Sequence, residues 1–134
     1  MNVNTKRNGF TLIELLVAIS LIAILTIFAL PSFYSYLLKS RRADAKEALA
    51  SLQLAQEKWR GNHDTYTNTL SDLGISSTST AGYYTITLTP GVSTGTSYEG
   101  TATPISTGPQ GNDACGALKV TPTGFSGDAQ CWGL

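Results

Sequence analysis

The 134 residues, 14.2 kDa, suit one ordinary domain with at most an added tail or membrane segment, and exclude a multidomain enzyme. Nine Lys and Arg balance nine Asp and Glu; charged residues are 13% of the chain and hydrophobic ones 42%, which excludes a highly charged disordered chain. The balance hides an asymmetry, because residues 1–60 carry eight basic against four acidic side chains, and residues 61–134 carry Lys119 against five acidic ones.

Residues 1–9, MNVNTKRNG, are polar and basic at Lys6 and Arg7. Residues 10–30, FTLIELLVAISLIAILTIFAL, follow with only Thr11, Glu14, Ser20 and Thr26 polar. As a helix this stretch reaches about 31 Å, the thickness of a bilayer's hydrocarbon core, and it lacks the polar face of a soluble helix. A cleavable secretory signal has a shorter apolar region and an A-x-A type site, whereas Pro31-Ser-Phe-Tyr-Ser-Tyr follows here, so the segment is expected to be kept. Basic residues on both sides, Lys6 and Arg7 against Lys39, Arg41, Arg42 and Lys46, leave the orientation open.

After Pro31 the pattern turns amphipathic. Leu38, Ala45, Ala48, Leu49, Leu52, Ala55 and Trp59 recur at three- and four-residue spacing between charged positions. One helix over 10–60 is the economical reading, with Pro31 a kink and Gly61-Asn62 the stop. Residues 61–82 read as loop. Tyr83 to Thr89 alternates as a half-buried strand, and weaker strands are expected over 96–103 and 117–121. Short connections predict an antiparallel meander whose apolar face packs on a Leu49, Leu52 and Trp59 stripe, an α+β arrangement. Cys115 and Cys131, sixteen apart, fit an oxidising compartment or two reduced thiols.

The junction Lys6-Arg7-Asn8-Gly9-Phe10-Thr11-Leu12-Ile13-Glu14 resembles the leader and mature start of type IV pilins. The resemblance extends over Pro31, the long helix, the sheet and the C-terminal cysteine pair. It implies the type IV pilin fold, a long N-terminal helix, membrane-spanning and then amphipathic, packed on a small antiparallel sheet. It divides the chain into a leader (1–9), a transmembrane and assembly helix (10–30), the amphipathic half of that helix (31–60) and a globular head (61–134). It also implies cleavage between Gly9 and Phe10 by a prepilin peptidase, N-methylation of Phe10, and a Cys115–Cys131 disulfide bounding a D-region. Glycine before the scissile bond leaves no Cβ to crowd the protease. Glu14 is costly in an apolar helix, about 2.5–3.5 kcal/mol on insertion scales, and calls for a partner. In pilins the proposed partner is the α-amine of a neighbouring subunit, which makes Glu14 the residue of assembly and register.

The implied partners are other pilin subunits in a homo- or hetero-oligomeric filament, prepilin peptidase, the inner-membrane pilus assembly machinery, and the membrane before assembly. The implied location is the bacterial inner membrane in a single pass, then the extracellular pilus, where the protein supports twitching motility, cell adhesion or DNA uptake. Within the family the head looks most like the small PilE-like pilins, commonly minor subunits. No catalytic constellation, metal-ligand cluster or cofactor motif appears, His63 with Asp64 lacking any supporting motif. Two alternatives share the leader. A DNA-receptor pilin of a competence system needs a basic stripe, and Lys119 stands alone after residue 60, so direct nucleic-acid binding is not expected. A type II secretion pseudopilin is disfavoured by the cysteine pair and by the absence of a clustered acidic calcium site.

Overall fold

The computed structural model describes residues 9–91 and 95–133. The chain divides between Tyr36 and Leu37 into two compact units, and one helix, α1 (Leu12–Arg60), contributes to both. In the N-terminal unit the chain enters α1 at Thr11, whose Oγ1 accepts the Glu14 N–H at 3.3 Å, the bond of an N-cap residue. Every residue from Gly9 to Tyr36 is exposed, and the helix is long and apolar enough there to cross a membrane. Its two mid-span hydroxyls stay within the helix, Ser20 donating to the Leu16 and Val17 carbonyls and Thr26 to that of Ile22, so neither needs a partner outside. The helix continues through Pro31, which brings no N–H to the carbonyl one turn earlier.

In the C-terminal unit α1 buries Arg42, Ala45, Leu49, Leu52 and Gln56, a face repeating every three or four residues. Against it lies a four-stranded antiparallel meander: β1 (Tyr84–Pro90), β2 (Tyr98–Pro104), β3 (Leu118–Thr121) and β4 (Gly124–Ser126) in that spatial order. Tyr84 and Ile86 of β1, Tyr98 and Ala102 of β2, and Leu118 and Val120 of β3 point inward and close the core on Ala45, Leu49 and Leu52. The expected meander and its first strand are present, as is the disulfide, with Cα atoms 5.7 Å apart.

Several expectations need correction. Trp59 is not in the core; it lies half-buried at the end of α1 and stacks flat on His63, centroids 3.8 Å apart. Gln56 takes the inward position, since its amide both donates to the Thr67 carbonyl (2.7 Å) and accepts the Thr67 N–H (3.3 Å), completing backbone bonds that an indole leaves open. Residues 61–82 are not all loop: a 3₁₀ turn, Leu70–Leu73, ends on left-handed Gly74 and directs Leu70, Leu73 and Ile75 onto the core. Segment 77–79 then covers the outer edge of β1, with Ser79 N–H donating to Tyr84 O and Ile86 N–H to Ser77 O. The strand β4 and the short helix α2 (Ala129–Trp132), N-capped by Asp128, were not foreseen, and β2 starts at Tyr98 rather than 96.

Gly100 sets how closely sheet and helix meet. A Cβ there would stand 2.9 Å from Leu52 Cδ2 and 3.0 Å from Val120 Cγ1. Gly100→Ala is expected to lower stability by about 1–3 kcal/mol, the range of core overpacking, read as a drop in melting temperature of the full chain in detergent.

Candidate functional site

The N-terminal segment is simple in structure. Gly9, Phe10 and Thr11 lie outside the helix and are exposed, and α1 starts one residue after Thr11. Residues 1–8, with Lys6 and Arg7 of the expected leader, fall outside the described residues. A Cβ at Gly9 would meet nothing within 4 Å, and its backbone is not left-handed, so the described fold makes no demand for glycine there. Glu14 stands in the first turn, where its charge faces the positive end of the helix dipole. Among the described residues it makes no ion pair, and its surroundings are apolar side chains exposed on all sides of the helix.

The head is tied to α1 by a turn and a half rich in charged residues, Arg41 to Lys46. Arg42 is buried and grips Asp113 with two hydrogen bonds, Nε to Oδ2 at 2.7 Å and Nη2 to Oδ1 at 2.5 Å. Gln110 Nε2 adds a donor to Asp113 at 2.6 Å and reaches back to the Leu38 carbonyl at 3.0 Å, while the Cys115 N–H donates to Asp113 Oδ1 at 3.2 Å. The Asp44 carboxylate accepts from Ser79 Oγ, the Ala81 N–H and the Tyr83 N–H, fixing the loop before β1. Lys46 donates to the Trp132 carbonyl, beside Cys131. The disulfide thus closes between two segments that α1 already holds, and a bridge across so short a loop contributes roughly 3 kcal/mol on the chain-entropy account. Trp132 packs against Phe125 (4.3 Å) and donates to Ser126 O. No local sequence signal marks Arg42, Gln56 or Gln110 as buried, because their partners lie 71, 11 and 72 residues away.

Few of the head's cations remain unpaired. Lys119 pairs with Glu99 at 2.9 Å, Arg41 donates to the Pro109 carbonyl and lies over the Tyr83 ring, and Arg60 donates to the His63 and Asp64 carbonyls. Lys39 is exposed; its side chain and that of Lys58 make no hydrogen bond or ion pair among the described residues. His63 is exposed, as the sequence implied, with Nδ1 2.9 Å from the Trp59 carbonyl.

Burial pushes the Asp113 carboxyl up, but the hydrogen bonds from Arg42, the Cys115 N–H and Gln110, with the guanidinium charge, outweigh it and hold the group below its ordinary 3.8. The Asp113 bond in turn raises Arg42. A depressed carboxylate contributes stability that is full above 3.8 and is lost as pH falls through the lower folded-state value. Asp113→Ala, which strands a buried guanidinium, is expected to cost about 3–5 kcal/mol near neutral pH. Thermal unfolding of the full chain below pH 3.8 should also show a steeper acid loss in the parent than in Asp113→Asn.

Comparison with known proteins follows the division at Pro31. A prokaryotic N-terminal methylation motif matches residues 4–30, and the family described as "Type IV minor pilin ComP, DNA uptake sequence receptor" matches residues 31–119. The chain is similar to the type IV major pilin protein PilA of Myxococcus xanthus, at 33% identity over 54% of this chain and 33% of the relative. It is similar also to a fimbrial protein of Neisseria meningitidis serogroup B, at 34% over 45% of this chain and 39% of the relative. The prepilin peptidase-dependent protein D of Escherichia coli K12 is 40% identical over 39% of this chain and 36% of its own length. The chain spans from a third to about half of the length of the curated relatives it matches.

Proposed function

Because the chain belongs to the type IV minor pilin ComP family, and so to the type IV pilins, we propose that it is a minor subunit of a type IV pilus, inserted in the bacterial inner membrane by a single span before joining the filament. The observation that carries this reading is the junction of the two matches, a methylation motif ending at residue 30 and a pilin head beginning at residue 31. On this reading prepilin peptidase hydrolyses the exposed Gly9–Phe10 bond. Water adds to the carbonyl of Gly9, leaving a carboxylate on the leader and a free amine on Phe10, whose nitrogen then displaces the leaving group of a methyl donor and loses one proton. The amine and Glu14 of adjacent subunits would pair as the helices leave lipid for the filament core, removing the penalty of a lone carboxylate among apolar side chains. Pro31 supplies a point where the helix bends as it packs. The pilus assembly machinery of the inner membrane is the further partner, and no enzymatic activity is assigned.

Gly9 supports the cleavage step, since nothing in the described fold needs a glycine there. Gly9→Ala is expected to leave the head's melting temperature unchanged while unprocessed precursor accumulates in the membrane, read by gel mobility and mass. Normal processing of that variant would contradict the assigned cut.

The family match favours one second reading, a pilin that itself binds DNA during uptake. The head's charge works against it, because Lys39 and Lys58 are the basic side chains left without partners among the described head residues. Each neutralised phosphate contributes a salt slope of about −0.9, so contact through two lysines is expected to be weak and lost at physiological salt. Titration of the full chain in detergent with duplex DNA decides: retardation that persists at physiological salt supports a DNA receptor, and none supports the structural subunit alone.

A further inference from the structure

The end of α1 and the 3₁₀ turn Leu70–Leu73 border a cleft of about 290 Å³ in the head. Lys58 and Trp59 of the last helical turn and Asn62 just beyond it form one side, and Asp72 and Leu73 the other. His63 completes the lining. Its ring lies flat on the Trp59 indole, centroids 3.8 Å and planes 5° apart, and the contact of Nδ1 with the Trp59 carbonyl (2.9 Å) fixes its orientation. Helical spacing predicts core at position 59, yet the indole is half-buried beside a second, exposed ring, so a flat apolar surface is kept within reach of solvent.

The polar groups around that surface are of both signs. Asp72 accepts from the Thr67 hydroxyl through one carboxylate oxygen (2.8 Å), and its other oxygen accepts from no group among the described residues. Lys58 Nζ makes no hydrogen bond or ion pair among them, and the Asn62 side-chain oxygen accepts none. An ammonium, a carboxylate oxygen and an amide around an apolar wall complement a ring with an apolar C–H face and hydroxyls that both donate and accept. A phosphorylated ligand would bring its charge to Asp72, and a quaternary ammonium would meet Lys58; a neutral sugar incurs neither repulsion.

We propose that this cleft is a binding site for a neutral pyranose, whose C–H face lies against the Trp59–His63 pair while its hydroxyls donate to Asp72 and Asn62 and accept from Lys58. The cleft stands at the lower limit of small-molecule pockets, roughly 300–1,000 Å³, so it takes one terminal sugar of a glycan rather than a chain. Its walls are already set, which keeps the ordering cost of binding low: Arg60 donates to the His63 and Asp64 carbonyls, and the Thr67 hydroxyl that holds Asp72 also accepts the Thr69 N–H. The site goes beyond the pilin assignment and does not rest on it.

The test titrates the isotope-labelled full chain, in a zwitterionic detergent without a sugar headgroup, with the methyl glycosides of glucose, galactose, mannose and N-acetylglucosamine, and with a thymidine oligonucleotide as the competing class. The indole N–H signals of Trp59 and Trp132 are told apart in nitrogen–proton spectra by Trp59→Phe. The site requires that at least one glycoside move the Trp59 signal and leave that of Trp132 in place. Lys58→Met and His63→Ala, both at exposed positions, are then each expected to weaken that binding about tenfold without changing the melting temperature. A Trp59 signal that no glycoside moves at millimolar concentration, or binding that both variants leave as tight as in the parent, would overturn the proposal. Movement with the oligonucleotide alone would also overturn it and make the ring pair a stacking shelf for bases. Each of these outcomes leaves the pilin assignment standing, since that rests on the N-terminal motif and the match of the head.

Discussion

A helix whose apolar side chains are exposed on every side from Leu12 to Tyr36 cannot be left in water, and this one constraint organises the rest of the protein. Something outside the chain must cover that surface, lipid or the helices of other subunits. An apolar surface without a polar face suits either medium, which is what a subunit that changes surroundings needs. The second half of the same helix carries the head. It does so by becoming amphipathic: from Arg42 to Gln56 a narrow buried face meets the sheet, and the opposite face is exposed, with Glu47 and Glu57 beside Ala43, Ala50 and Leu54.

A head of this size has a small core, so its polar contacts matter. Arg42, Asp44 and Lys46 sit on one turn of α1 and hold three separated segments: the one leading into Cys115, the loop before β1, and the one ending at Trp132. A buried ion pair such as Arg42–Asp113 is a poor source of net stability, because desolvation offsets most of the attraction. Its use is geometric, since the observed placement of the 110–115 segment satisfies Asp113 with Arg42, Gln110 and the Cys115 N–H together. That placement brings Cys115 to Cys131, and the disulfide then fixes it covalently.

Much of this was legible in order along the chain, for physical reasons. Unbroken apolarity over 10–30, helical spacing after Pro31 and the alternation of Tyr84, Ile86 and Leu88 are local signals that no tertiary contact had to supply. The misses share a cause. Trp59 was assigned to the core by periodicity, yet Gln56 fits there because backbone groups of Thr67 need a donor and an acceptor, a demand created only by the folded loop. Three-residue β4 is too short to show a period, and its pairing to β3 is fixed by the turn at Gly124 rather than by its own composition. The charge count weighs against nucleic acid, and the folded head keeps that reading by pairing Arg42 with Asp113 and Lys119 with Glu99, while the family matched over residues 31–119 is the observation that favours a DNA receptor. At the candidate site the motif from Gly9 to Glu14 was visible in full, while the cap that Thr11 forms on Glu14 emerged only from the coordinates.

The central claim, a processed pilin subunit, is tested most directly by intact mass with N-terminal fragmentation of the protein recovered from sheared surface material of the native host. The account predicts a chain that begins at Phe10, heavier by one methyl group on that residue and lighter by two hydrogens for the Cys115–Cys131 bridge. A chain that keeps Met1 to Gly9, or one cut beyond Leu30, would contradict it.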